Sequence, residues 1–401
     1  MGLVGAVTFV YAKSNPASSG ADSSAAAAPD YVLHEWGTFT TVAGSDGVLL
    51  PGLQKEEEAL PRFVRAHGGM NNVGPNMGFK GFMLLRPLAN VFVKMETPVV
   101  YFYADNSEPF RASVDVVFPG GSISQWFPQR SRGEKVPEFK RDKKGKVVSG
   151  AIDFADGFDG SIGWDVEVLP KSDIDNGRVF QGSETMNWVY PRMTDSNLVR
   201  TADGAVEKYL FYRGIGKFDL PLVTTASASG DLTLTNRGEQ TIPGLLVFDN
   251  RSNAVRFHVI DELPAGDSAT VALRQIAPVS QWLRPVYDAM RDQLTGAGLY
   301  GKEADAMIQT WWKSYFQHPG VRVFWLVPDA ETGRVLPLEA RPAPRETVRV
   351  LVGRSEVLMP EFEAKLTQAH GTKKWSRFGF DRFSGAYSAR VAALNPDTVE
   401  K

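Results

Sequence analysis

From Tyr31 onward, apolar and polar positions alternate along the chain in short runs, and that period of two predicts strands. The first run is Tyr31 to Thr40, read Tyr-Val-Leu-His-Glu-Trp-Gly-Thr-Phe-Thr. As a strand it puts Tyr31, Leu33, Glu35, Gly37 and Phe39 on one face and Val32, His34, Trp36, Thr38 and Thr40 on the other. The first face is the more apolar and is expected to point inward, taking Glu35 with it. A carboxylate on an apolar face needs a partner or a proton. A Glu–Arg or Glu–backbone tie is therefore one reading of Glu35, and an acid with a raised pKa is the other. Gly37 carries a second expectation, because glycine inside a strand often marks a bulge.

Further alternating runs follow. Val91 to Tyr103 predicts a strand with Val91, Val93, Met95, Val99 and Tyr101 on one face and Lys94 and Glu96 on the other, as same-face neighbours able to pair. Pro98 cannot donate to a ladder, so this is an edge strand, a bulge, or two strands end to end. Arg111–Phe118 is a strand, and Ser124–Pro128 presents aromatics beside a turn. Glu207–Gly214 places Tyr209, Phe211 and Arg213 on one face, with Arg213 a candidate partner for Glu35 or Glu96. Leu232–Thr235, Leu245–Phe248, Val255–Ile260 and Ser268–Leu273 are short strands spaced as in an antiparallel sandwich.

The period then changes to that of helices. Pro285 is expected at a first helical position, ahead of the stripe Val286, Ala289, Met290, Gln293 and Leu294. Ala304, Met307, Ile308, Trp311, Trp312 and Tyr315 trace a second stripe, read as a core face. Val321–Val327 and Arg334–Glu339 flank a turn ending at Gly333 and read as a hairpin. Val348–Val352 is a last strand, and Pro360–His370 a short helix stopped by Gly371.

The expected fold is mainly β: antiparallel β-sandwich domains with an inserted helical pair and a small C-terminal α/β region. The divisions are residues 1–29, a signal-like leader and flexible linker; 30–215, an N-terminal β-rich domain; 216–278, a β-sandwich segment; and 279–401, the helical pair and α/β region. Gly2–Ala12 has the length of a signal-peptide apolar region and is too short to span a bilayer. It lacks a basic segment before it. Export is the expectation, to the periplasm, cell surface or medium, and membrane contact is expected only if this run serves as an anchor.

Composition narrows the chemistry. The 401 residues contain no cysteine, which excludes disulfides, thiolate nucleophiles and cysteine-ligated metals. A net charge of −2 gives no electrostatic case for nucleic acid. The five histidines have no zinc-motif spacing, and neither Asp153/Asp156/Asp159 nor Asp173–Gly177 fits a calcium loop. No cofactor or metal is expected. Glu56-Glu57-Glu58 reads as a solvated acidic turn or a helix start, and Glu134–Lys146 as a solvated hairpin tip or loop. No phosphate-cradling glycine loop or Gly-x-Ser-x-Gly elbow is present.

The segments His34-Glu35-Trp36-Gly37-Thr38-Phe39, Met95–Tyr103, Leu210-Phe211-Tyr212-Arg213-Gly214 and Val350-Leu351-Val352-Gly353-Arg354 are together similar to an uncharacterised family of exported bacterial proteins that opens on this same HEWGTF motif. The resemblance spans nearly the whole chain after the leader and implies export, but no activity, cofactor or catalytic residue.

Two functions follow. The first is an extracytoplasmic protein binding a glycan or peptide, with Trp36, Trp126, Trp188, Tyr212 and Arg213 as candidate binding residues. The second is an extracytoplasmic hydrolase or lyase on a polysaccharide-like substrate, with Glu35 as acid, Glu96 as second carboxylate, Arg213 as charge stabiliser and His34 as alternative base. Glu35 and Glu96 converging in an open cleft favours the enzyme; Glu35 capped by Arg213 in a closed core favours a binding or structural role.

Overall fold

The structure, a computed structural model, describes residues 28–56, 60–61, 63–68, 86–173, 186–251, 254–273 and 279–396. The leader, Glu57, Glu58, the glycine-rich turns from Gly69 to Gly81 and the stretch Ile174–Gly177 lie outside the described residues.

The protein is mainly β. Its centre is one large mixed sheet built from β1 (Tyr31–Ala43), β2 (Val93–Ala104), β3 (Phe110–Pro119), β4 (Gly121–Phe127), β5 (Asp159–Val168), β6 (Leu210–Gly216), β7 (Ile242–Arg251), β8 (Ala254–Leu263), β9 (Val321–Leu326), β10 (Leu338–Arg341) and β11 (Glu346–Val357). The main path runs β5-β4-β6-β2-β1-β11-β9-β7-β8, and β3 bridges β5 to β10. Strands from residues 30–215, 216–278 and 279–401 thus join a single hydrogen-bonded sheet. Its middle strand is β1, antiparallel to β2 and parallel to β11.

Both faces of β1 are covered, so every residue of this strand is buried. Tyr31, Leu33 and Phe39 join one core, which Leu222, Leu232, Leu234 and Val271 of a three-stranded sheet (222–226, 232–236, 268–271) help close. Val32 and Trp36 join the core on the other face, under helices α1 (Val279–Gly296) and α2 (Gly301–Trp312). The expected single inward face is therefore corrected: the helical layer buries the second face as well. A third core gathers Val42, Leu50 and Ile215 with Leu366, Tyr387 and Val391 of the C-terminal helices.

The expected side-chain alternation in β2 breaks at a bulge. Trp36 pairs with Val99, but Thr38 pairs with Glu96, so Thr97 and Pro98 together oppose Gly37. The extra residue flips the facing: Val93 and Met95 lie in one core, Val99 and Tyr101 in the other. Pro98 is thus accommodated in a central strand, at the bulge. A Cβ on Gly37 would lie 2.8 Å from Pro98 Cα, so only glycine lets the bulge cross β1 here.

Two helical expectations are corrected. Pro285 lies inside α1 rather than at its start. Trp282, buried against Phe248 at 5.4 Å between ring centroids, anchors an extra N-terminal turn, so packing outweighs the proline. The expected hairpin after Gly333 is instead helix α3 (Asp329–Val335), with Asp329 and Glu331 in its first turn and Val335 buried. The strand that follows, β10, pairs with β3 rather than β9. Helices α4 (Pro360–Ala369) and α5 (Ser384–Leu394) complete the chain. Ser124–Phe127, expected beside a turn, lies within β4.

Candidate functional site

The bulge that Gly37 permits also builds the site. Thr97 has φ 53°, the left-handed region, which a β-branched residue adopts at a cost. Here Thr97 Oγ1 accepts a hydrogen bond from Arg213 Nη2 at 3.2 Å. Thr97 and its neighbour Glu96 both line a cavity of about 50 Å³ on the helical side of the sheet. Val99 from β2 and Arg213 from β6 share its floor. Trp188, Pro191 and Tyr209 form one wall; Thr310 and Trp311 from α2, with Ser314 just beyond it, form another. Glu56 arrives from the irregular segment after β1.

Two buried carboxylates face this cavity, each tied to cations. Glu56 Oε1 is 2.9 Å from Lys94 Nζ, and Glu56 Oε2 accepts from Arg213 Nη1 at 2.6 Å. Burial pushes the Glu56 carboxyl up, but the Lys94 and Arg213 charges outweigh it and hold it below the usual range. Glu96 pairs with Arg382. Burial opposes its charge too, yet Arg382, Arg213 and Lys94 bring it down to about 2. Behind Glu96, Glu356 is clasped by Arg322 (3.0 Å) and Arg354 (2.5 Å). Burial again works upward on Glu356, and these two arginines pull it to about 2. Arg354 Nη1 also donates to Ser314 Oγ at 2.5 Å, joining this cluster to the cavity wall.

Of the residues singled out from the sequence, Glu96, Arg213 and Trp188 meet at this cavity. Glu35 does not. It lies on the other face, where Tyr212 OH donates to it and Arg349 Nε and Nη2 both sit 2.7 Å from its Oε2. Burial and the Glu35 charge hold the Tyr212 hydroxyl well above its ordinary pKa. The guanidinium on Glu35 is thus Arg349 rather than Arg213, and Glu35 and Glu96 do not converge. His34 Nδ1 sits 2.7 Å from Glu303 Oε2, beneath Tyr103 and Tyr300. Trp36 stacks on Tyr101 at 6.0 Å and is fully buried. Trp126 packs under Arg130, whose Cζ is 4.2 Å from the ring centroid.

Sequence reasoning missed Glu56, Lys94 and Trp311 as parts of one site. The acidic run at 56 was expected to be solvated, whereas Glu56 is buried and ion-paired. Lys94, expected to pair with Glu96, pairs with Glu56 instead. Trp311 belongs to the core stripe, yet its indole reaches the cavity. A lone lysine and glutamate on a buried strand were the one available signal. Glu134, expected in a solvated segment, is buried and accepts from the backbone N–H of Ile123 and Ser161 at 2.9 Å each.

Among the described residues no group of three or more His, Cys, Asp or Glu is placed to hold a metal ion. Among them, too, no helix is long and apolar enough to cross a membrane.

No protein-family model and no curated protein matches the chain. Among solved structures it is similar to the yeast delta-COP-I mu-homology domain complexed with the Dsl1 WxWxV peptide, at 8% identity and TM-score 0.28, over 82% of this chain and 98% of that one. A second structure of the yeast delta-COP-I mu-homology domain gives 9% identity and TM-score 0.28, over 82% and 97%. A chaperone–tip adhesin complex of CFA/I fimbriae biogenesis gives 8% identity and TM-score 0.12, over 46% and 89%. Likeness at this level transfers no site or activity.

Proposed function

We propose that this is an exported, β-rich glycan-binding protein, and that the Glu56–Glu96–Arg213 cavity seats one polar group of a sugar. The convergence of charged carboxylates, a guanidinium and two indoles at one small cavity carries the reading. Charged carboxylates accept hydrogen bonds from hydroxyls, and arginine donates to ring and hydroxyl oxygens. Lys94, Arg213 and Arg382 already neutralise Glu56 and Glu96, so the cavity has no unmet demand for a cationic peptide side chain. Export is supported by the signal-like leader and the resemblance to an exported family.

Geometry disfavours the hydrolase. Glycoside cleavage needs a carboxylic acid that stays protonated near neutral pH. Both carboxyls at the cavity are held ionised by their cations, and Glu35 lies on the other face of the sheet.

Tryptophan fluorescence of the full chain, titrated with oligosaccharides, tests the proposal. Binding should perturb the emission, and Trp188→Phe together with Trp311→Phe should remove most of that change. A panel of neutral and acidic oligosaccharides that leaves both emission and melting temperature untouched rejects it.

A further inference from the structure

Two buried N–H groups at the cavity have no hydrogen-bond partner among the described residues, Arg213 Nε and Trp311 Nε1. Arg213 is 6% exposed and Trp311 7%, and both line the same space. A buried donor left unpaired is costly, and such groups in folded proteins normally meet a partner. The first requirement on a ligand is therefore an acceptor atom. Many groups meet it, and the rest of the lining selects among them.

Glu56 sets the second requirement. Its Oε1 accepts from Lys94 Nζ at 2.9 Å and from Gln125 Nε2 at 3.2 Å, and its Oε2 accepts from Arg213 Nη1 at 2.6 Å. A carboxylate has about four lone-pair sites, so Oε2 has room for one more donor. The Glu56 carboxyl lies below its usual pKa range, so at neutral pH it is ionised and can only accept. The ligand thus needs a donor close to its acceptor, which an ionised acid group lacks.

The third requirement is apolar. Leu60, Val99 and Pro191 line the same cavity beside the Trp188 ring. A hydroxyl brings an acceptor and a donor but nothing to pack on these side chains, and a gap there forfeits their contacts.

We infer that the cavity seats the acetamido group of an N-acetylated sugar, so that the glycan bound is one built from N-acetylhexosamines. The inference rests on the glycan reading above and narrows it. The acetamido carbonyl oxygen has two lone pairs for the Arg213 and Trp311 N–H groups, its amide N–H donates to Glu56, and its methyl packs on Leu60, Val99 and Pro191. A volume of about 50 Å³ suits such a side group better than a whole sugar ring.

Calorimetric titration of the full chain with the β1,4-linked tetramer of N-acetylglucosamine and with the β1,4-linked tetramer of glucose is the test. The second keeps the linkage and replaces each acetamido group by a hydroxyl. We expect the acetylated tetramer to bind about tenfold tighter, as for one hydrogen bond and one buried methyl together. Both tetramers are neutral, so that preference should persist in added salt. Trp311→Phe keeps a ring but removes the indole donor, and Arg213→Lys keeps a cation beside Glu56 but removes Nε–H. Each should reduce the preference, and Trp311→Phe, the milder change, decides if Arg213→Lys melts early. Equal binding of the two tetramers overturns the acetamido assignment and leaves the glycan reading standing. Failure of the acetylated tetramer to bind also overturns the assignment, whichever other oligosaccharide binds. Binding of an acetyl-lysine peptide with no binding of any oligosaccharide overturns the assignment and the glycan reading together. A preference that survives both substitutions places the acetamido group elsewhere and overturns the inference.

Discussion

Glu35 and Arg349 sit opposite each other across the parallel pair β1 and β11, with Arg349 Nε and Nη2 both 2.7 Å from Glu35 Oε2. Tyr212 OH donates to the other carboxylate oxygen. Glu35 is fully buried and Arg349 nearly so, so the pair binds the two central strands and closes one core around itself. This makes it a structural tie, and it predicts a specific pattern of losses. Glu35→Gln leaves a guanidinium without its counter-charge and should cost about 3 kcal/mol, as for a broken buried pair. Adding Arg349→Met should recover part of that loss. Urea denaturation of the single and double variants checks this; independent, additive losses would show that the two charges are not coupled.

Gly37 and Pro98 give a second prediction. The bulge brings Pro98 Cα to 2.8 Å from where a Gly37 Cβ would stand. Gly37→Ala must move the bulge, and with it Thr97 and Glu96, at a cost of about 1–3 kcal/mol for overpacking. Oligosaccharide affinity should fall as well, because the moved residues line the cavity. Unchanged affinity in a destabilised variant would separate the bulge from the site.

These two cases mark what could be read from the chain. That Glu35 needs a partner was legible, because a charge on an apolar face demands one. Its identity was not, since Arg349 lies 314 residues away and alternation does not specify which strands become neighbours. Gly37 signals a bulge and Pro98 an edge strand, a bulge or a break, but neither shows that the two oppose one another. Glu56 is missed for a related reason: a glutamate that opens an acidic run looks solvated unless a buried lysine and arginine are known to lie beside it. The sequence of Asp329–Val335 reads as turn and strand because Gly333 suggests a hairpin. The acidic first turn and the burial of Thr332 and Val335 favour helix instead.

Glu303 gives a third prediction. Its Oε2 accepts from the backbone N–H of Tyr300 at 2.9 Å, capping α2, and also meets His34 Nδ1 at 2.7 Å. One oxygen thus fixes the start of the helix that carries Trp311 and partners a buried histidine on β1. Glu303→Ala removes the cap and leaves His34 Nδ1 without that acceptor, for a loss of about 3 kcal/mol in all. Glu303→Gln keeps an acceptor oxygen and should cost less than half as much. Chemical denaturation of the two variants compares them, and equal losses would mean that the carboxylate charge, not the acceptor, carries the interaction.

Glu96 and Glu356 set how the protein meets acid. Both are buried, and both are lowered from an ordinary 4.5 to about 2 by the surrounding cations. A carboxyl whose folded-state pKa is depressed binds protons more readily when unfolded. Its stabilising contribution is therefore complete above about pH 4.5 and is lost as pH falls toward 2. Each depression corresponds to on the order of 3 kcal/mol. Stability of the wild type should accordingly drop steeply between pH 4.5 and 2. Glu356→Gln should lower stability at neutral pH and make the acid slope shallower, because one of the two linked groups no longer titrates. Denaturation midpoints across that range provide the check. An acid slope identical in wild type and variant would show that Glu356 is not ionised by Arg322 and Arg354 in the folded protein.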